Sequence, residues 1–174
     1  QYAKRMRKIP GANMIFELFA ARLRLWDTLS SSRVDHFLAN SNFVKSRVYR
    51  YYGRQASVLH PPVDINDFKI KSKSCTKDYF LVLGAFVSYK SFDLAIKACQ
   101  RSGKKLVVAG HGPEEQYLRK ISTETTNFTI NPDKQSLHKL LSGAKALIFP
   151  GVEDFGIVAI ESLASGTPII ALNR

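Results

Sequence analysis

The stretch "FPGVEDFGIVAIESLASGTPII", residues 149–170, decides the fold. Its two ends read as buried strands, and residues 155–164 between them read as a helix that is apolar on nearly every side. Glu161 sits in the middle of that helix, and Glu153 lies eight residues earlier, at its mouth. Asp154 is placed to cap the helix, leaving the amides of Phe155, Gly156 and Ile157 at its positive end, where phosphate oxygens would be welcome. Gly156 has no side chain to block close approach. Helical side chains tilt toward the N-terminus, so Glu161, roughly 10 Å into the helix at about 1.5 Å per residue, can reach back. A carboxylate there suits the vicinal hydroxyls of a ribose next to a diphosphate. Glu153 then faces whatever hangs beyond the diphosphate. Two plainer readings of Glu161 stay open: a satisfied buried ion pair, or an exposed edge. An unpaired buried carboxylate costs several kcal/mol, so some partner is required.

Outward from this stretch the chain alternates strand and helix. "ASVLH" and "YFLVLGAF" read as strands, and "KSFDLAIKACQRSG" as a helix closed by Gly103. "KKLVVAG", "NFTI", "KALIFP" and "TPIIAL" read as further strands. Between them lie "PEEQYLRKI", opened by Pro113, and "DKQSLHKLLSGA", with Asp133 as N-cap. Short β-branched strands alternating with helices imply right-handed βαβ units and a parallel sheet. Ligands of such sheets gather at the carboxyl ends of the strands. Three loops fall at that edge. Lys90 follows "LGAFVSY" and is expected to open a helix there, in place to neutralise phosphate; a solvated first-turn lysine is the rival reading. "AGHGP" brings Gly112 and His111, and "TINPDKQ" brings Asn131. Three loops and one helix mouth converge on a nucleotide site.

The first sixty residues differ. In "MIFELFAARLRLWDTL" Ile15, Leu18, Phe19, Leu23, Trp26 and Leu29 share one helical face, which is expected to pack into a core; a membrane-surface helix is the alternative. "DHFLANS" reads as a buried strand and "FVKSRVYRYYG" as a helix ending at Gly53. "HPPVDINDF" is the natural joint, because its prolines forbid helix. The lysine-rich "KIKSKSCTKD" reads as an exposed loop. The boundaries are therefore 1–59 for a first segment, 60–78 for a linker and 79–174 for the nucleotide-binding domain.

The 174 residues carry a net charge of +12 and are 45% hydrophobic, enough for one core and part of another. Residues 1–54 hold 11 Lys/Arg against 3 Asp/Glu, a balance of +8. Such a front could meet nucleic acid, anionic lipid or a lipid-linked acceptor, or simply be solvated. No zinc-finger, RNP or single-strand platform pattern supports nucleic acid. Cys75 and Cys99 form no metal-ligand spacing or disulfide framework and read as reduced thiols. The longest apolar run, "YFLVLGAFV", is far below the roughly 20 residues of a membrane span. "QYAKRMRKIP" has no initiator Met or apolar h-region, and reads as the interior of a longer chain.

"VEDFGIVAIESLASGTPIIA" resembles the E-x7-E motif of the retaining, GT-B-fold glycosyltransferases of family four (glycosyl transferases group 1). "YFLVLGAFVSYKSFDLAIKA", "LVVAGHGPEEQYLRK" and "VDHFLANSNFVKSRVYRYYGRQASVLHPPVDINDF" match its other landmarks in order, and the whole is similar to the mannosyltransferase-like branch. The resemblance implies a Rossmann-like donor domain joined to the tail of an acceptor domain. It implies transfer of a hexose such as mannose from a nucleotide diphosphate sugar such as GDP-mannose to a glycan or lipid-linked acceptor, with retention and without a metal. Glu153 would contact the transferred sugar and Glu161 the ribose. Lys90 and the backbone of Phe155, Gly156 and Ile157 would bind the diphosphate, Gly84, Gly112 and Asp154 would also line the donor site, and the base would lie against the loop of Asn131. The protein would be cytoplasmic, with a peripheral contact to anionic membrane as a further option. In two places it departs from the family. Gly84-Ala85 stands where Gly-Arg is usual, removing a second phosphate cation. The chain also stops at "ALNR", so that this piece alone is expected not to turn over. A non-catalytic nucleotide-sugar-binding protein of the same fold is the alternative.

Overall fold

A computed structural model describes residues 12–68 and 78–173. The chain divides into two compact units, Gln1–Pro61 and Pro62–Arg174.

The first unit contains α1 (Ala12–Ser31), β1 (Phe37–Ala39), α2 (Asn42–Tyr52) and β2 (Ala56–Val58), the two strands pairing in parallel. Ser41 caps α2 by accepting from the Val44 amide at 3.1 Å, and Gly53 ends it in the left-handed region at φ 64°. Arg54 ties α1 down by donating to the Ser31 and Val34 carbonyls at 3.1 and 2.7 Å. The expected core packing of α1 does not occur. Leu18, Phe19, Leu23, Trp26 and Leu29 are all exposed, and the side chain of Ile15 lies outside the described residues. Two strands of three residues offer too little surface to cover a helix of five turns. For the same reason β1 is not a buried strand, since Leu38 is exposed and only Ala39 is enclosed.

The second unit is built on a five-stranded, fully parallel sheet in the order β5-β4-β3-β6-β7. Its strands are β3 (Phe80–Ala85), β4 (Leu106–His111), β5 (Thr126–Ile130), β6 (Ala146–Phe149) and β7 (Ile169–Ala171). Helices α3 (Phe92–Arg101), α4 (Glu115–Ile121), α5 (Lys134–Gly143) and α6 (Ile157–Ala164) connect them. Side chains of a strand alternate between faces, so β3 feeds two cores. Val82 joins Phe86, Ile96, Val108 and Leu118 on one side; Leu81 and Leu83 join Leu141, Ala144 and Leu147 on the other. Among the thiols, Cys99 is buried in the first core, where desolvation pushes its pKa up and keeps it a thiol. Cys75 and most of the lysine-rich loop lie outside the described residues.

Chain order runs outward from β3 in one direction and resumes at β6 in the other, so the β3/β6 boundary is a topological switch point. Ligands of open α/β sheets bind in the crevice outside the carboxyl ends of strands at such a point. The segments that emerge there follow Ala85 and Phe149. Among the described residues, no helix is long and apolar enough to cross a membrane.

Candidate functional site

Lys90 and Glu153 meet at the switch point. After β3 the chain makes a single 3-10 turn, Ser88–Lys90, and Ser91 then takes a left-handed conformation at φ 53° before α3 begins. Lys90 therefore closes a tight turn rather than opening a helix. Left-handed Ser91 breaks the helical path between them. The Lys90 Nζ lies 2.9 Å from Glu153 Oε1, with both side chains largely covered.

Two glycines allow this arrangement. A Cβ on Gly84 would stand 2.9 Å from Lys90 Nζ, so the ammonium occupies space that any other residue would fill. A Cβ on Gly151 would lie 2.9 Å from Lys90 Cα and 3.1 Å from the Tyr89 and Lys90 carbonyl oxygens. Gly151 lets the β6–α6 loop press against the Lys90 turn, a role not legible in local sequence.

The helix after Glu153 starts later than its composition suggests. Gly156 adopts φ 81°, ψ 57° and occupies the N-cap position without a side-chain cap bond, and α6 begins at Ile157. A left-handed residue cannot continue a right-handed helix, so Phe155 and Gly156 lie outside it and Asp154 is not its cap. The first-turn amides belong to Ile157 and the residues after it. Glu161 is consequently about one turn inside, roughly 6 Å at 1.5 Å per residue, instead of two. Nor is α6 a fully buried helix. It flanks the edge of the sheet, with Ile157 and Leu163 exposed and only Ser162 enclosed.

Glu161 is half-buried and lines a cleft of about 200 Å³ with Ile157, which lies four residues earlier on the same helical face. The opposite wall is one face of α5: Lys134, Leu137, His138 and Leu141, at i, i+3, i+4 and i+7. Pro62, Val63, Asp64 and Phe68 of the joint close the end, where Phe68 packs against the His138 ring with centroids 4.4 Å apart. Among the described residues, no lysine, arginine or histidine forms an ion pair with Glu161. The internal ion pair therefore does not describe this carboxylate, which lies half-buried on the wall of the cleft. The cleft residues Asp64, Phe68, Lys134 and His138 were not among the expected site residues. The α5 periodicity was a signal that could have found them.

The other expected residues are distributed along the same sheet edge. Gly84 and Gly110 are register partners, and a Cβ on Gly110 would stand only 1.9 Å from the Gly84 carbonyl oxygen. Gly112, at φ 156°, is required by the Phe86 backbone, whose oxygen and nitrogen would lie 2.6 and 2.7 Å from an added Cβ. Close chain packing accounts for that glycine without a ligand. His111 is exposed, and its carbonyl accepts from the Phe86 amide at 2.8 Å. Asn131 is exposed in the left-handed region at φ 46°, and its amide donates to the Gly110 carbonyl. Asp133 caps α5 as expected, accepting from the Ser136 amide at 2.8 Å. The Ser136 hydroxyl and amide together hold the Asp133 carboxyl below its ordinary range. Pro113 and Glu114 form a turn ahead of α4, which starts at Glu115.

The chain is similar to known proteins along most of its length. It is 29% identical over 154 residues to the O-antigen chain mannosyltransferase RfbU of Salmonella typhimurium, covering 82% of this chain and 43% of that protein. It is 36% identical over 85 residues to a GDP-mannose-dependent alpha-(1-6)-phosphatidylinositol dimannoside mannosyltransferase of Mycobacterium tuberculosis, covering 47% of this chain and 22% of the relative. The chain thus spans less than half the length of these relatives. Among solved structures, Anabaena Alr3699/HepE in complex with UDP and glucose superposes with a TM-score of 0.73 at 16% identity, over 85% of this chain and 47% of that one. That likeness shows the fold, a GT-B-type Rossmann-like domain. Residues 64–174 match the family model of the glycosyl transferases group 1, and the chain belongs to that family.

Proposed function

We propose that the protein transfers a hexose, mannose by the names of its relatives, from a nucleotide diphosphate sugar to a glycan or lipid-linked acceptor with retention of configuration. The observation that carries this reading is the Lys90–Glu153 pair at the switch point, with Glu161 lining a cleft one turn into α6. In this scheme the diphosphate lies at Lys90 and the first turn of α6, where fixed positive charge stabilises the negative charge that grows as the glycosidic bond breaks. Glu161 accepts from ribose hydroxyls and the α5 face borders the nucleoside. Glu153 turns to the sugar hydroxyls. The departing diphosphate takes the acceptor's proton, and the scheme draws on no metal. Acceptor docking on anionic membrane, through the basic residues 1–54, belongs to the same reading.

The test is a thermal-shift screen of the full-length protein against GDP-, UDP- and ADP-sugars, followed by measurement of nucleoside diphosphate release with acceptor. A ligand of the folded state raises the midpoint. A rise with one base class plus release supports transfer. No response to any of them refutes the donor site. Ala85, where a second cation would stand, favours one other reading, a binder without turnover. Saturable binding with no release would identify it.

A further inference from the structure

The Lys90 ammonium is not waiting for a phosphate. It is already neutralised, 2.9 Å from Glu153 Oε1, with 16% and 21% of the two side chains exposed. Gly151 packs closely on the Lys90 backbone and Gly84 leaves room for its ammonium, so the lysine end of this contact does not rest on a flexible stem alone. Ala85 supplies no second charge in the turn after β3. A diphosphate drawn to this place must take the lysine from the carboxylate. The displaced carboxylate then stands beside an anion, largely out of water, and needs a new hydrogen-bond donor.

Resting on the donor-site reading above, we propose that exchange of the Lys90–Glu153 pair makes the site prefer the nucleotide sugar over the spent nucleoside diphosphate. The sugar donor brings both a diphosphate for Lys90 and hydroxyls for Glu153. The product brings only the diphosphate. Once the sugar has left, Glu153 has no partner among the described residues except Lys90, and its return to the lysine helps expel the product. Glu153 is thus the repulsive element that separates two ligands differing only by the sugar.

The experiment is calorimetric titration of the full-length protein with GDP and GDP-mannose, and with UDP and UDP-glucose as a second matched pair. The variants are Glu153→Gln, which is isosteric, and Lys90→Met/Glu153→Gln, which leaves no buried charge unpaired. Glu153→Gln is expected to tighten the nucleoside diphosphate about tenfold, as for removal of a close like charge. The sugar nucleotide should change much less, so the preference for it falls. The double variant should lose the gain, because the two substitutions act on one contact. Unchanged or weaker diphosphate binding in Glu153→Gln, or equal tightening of both ligands, overturns the exchange while leaving the donor site standing. Failure of every ligand to bind the wild-type protein overturns both.

Discussion

Lys90 Nζ stands 2.9 Å from Glu153 Oε1, joining the turn after β3 to the loop after β6 across the point where strand order reverses. The two residues are 63 positions apart, and only the sheet brings them together. An ion pair at such a crevice fixes charge in the place where an open α/β sheet takes its ligand. Glu161, one turn into α6, lines a cleft against the face of α5.

The two glutamates should separate in steady-state kinetics of the full-length enzyme. Glu161→Ala is expected to raise donor KM about tenfold or more with a smaller effect on kcat, since a charge-accepted hydrogen bond is worth about 1.5–3 kcal/mol. Glu153→Ala should chiefly depress kcat. Equal, negligible changes would refute both roles.

Ala85 is exposed at the end of β3, so a longer side chain has room. Ala85→Arg should restore a second cation beside the diphosphate and lower the dissociation constant for the nucleoside diphosphate several-fold, most clearly at low salt. A titration showing no change or weaker binding would place the diphosphate elsewhere.

Gly151→Ala should strain the Lys90 turn, because the added carbon falls 2.9 Å from Lys90 Cα and 3.1 Å from two backbone oxygens. Overpacking of this kind costs about 1–3 kcal/mol. Chemical denaturation should show the loss, accompanied by a raised donor KM. Wild-type stability and KM would mean that the contact is easily relieved.

The far end of α6 is tied by hydroxyls. Ser162 Oγ donates to the Thr167 carbonyl at 3.0 Å, and Thr167 Oγ1 donates to the Leu141 carbonyl at 2.6 Å. All of this is buried. Thr167→Val keeps the shape and removes one bond, so a destabilisation of about 1 kcal/mol is expected by urea denaturation.

Asp133 gives a pH signature. Its carboxyl is held below the ordinary 3.8 by the Ser136 hydroxyl and amide, so the charged cap stabilises the fold above that value. The contribution is lost as pH falls through the lowered folded-state value. Asp133→Ala should therefore be less stable than wild type at pH about 7, with the gap narrowing below about pH 4. Stability curves with a constant gap would contradict this.

Much of the fold was legible because it depends on local rules. Alternating β-branched strands and capped helices announced the parallel sheet, and Gly53 and Asp133 act where their chemistry places them. The α6 start was misread, since Asp154 looks like a cap and nothing local shows that Gly156 turns left-handed. The exposure of Leu18 and Trp26 was also hidden: a helical pattern records an apolar face, not whether anything covers it. At the site, Glu153, Lys90 and Glu161 could be nominated from sequence, but their pairing could not. The contact between Lys90 and Glu153, and the close approach allowed by Gly151, exist only once β3 and β6 lie side by side.

The proposed donor site holds a nucleotide sugar across Lys90, the start of α6 and Glu161. The most direct measurement is a crystal structure of the full-length protein soaked with the sugar nucleotide that the thermal-shift screen selects. The account predicts diphosphate density within hydrogen-bonding distance of Lys90 Nζ, ribose hydroxyls on the Glu161 carboxylate, and Glu153 turned from the lysine to the sugar. A nucleotide bound elsewhere, or one bound above an intact Lys90–Glu153 pair, would contradict it.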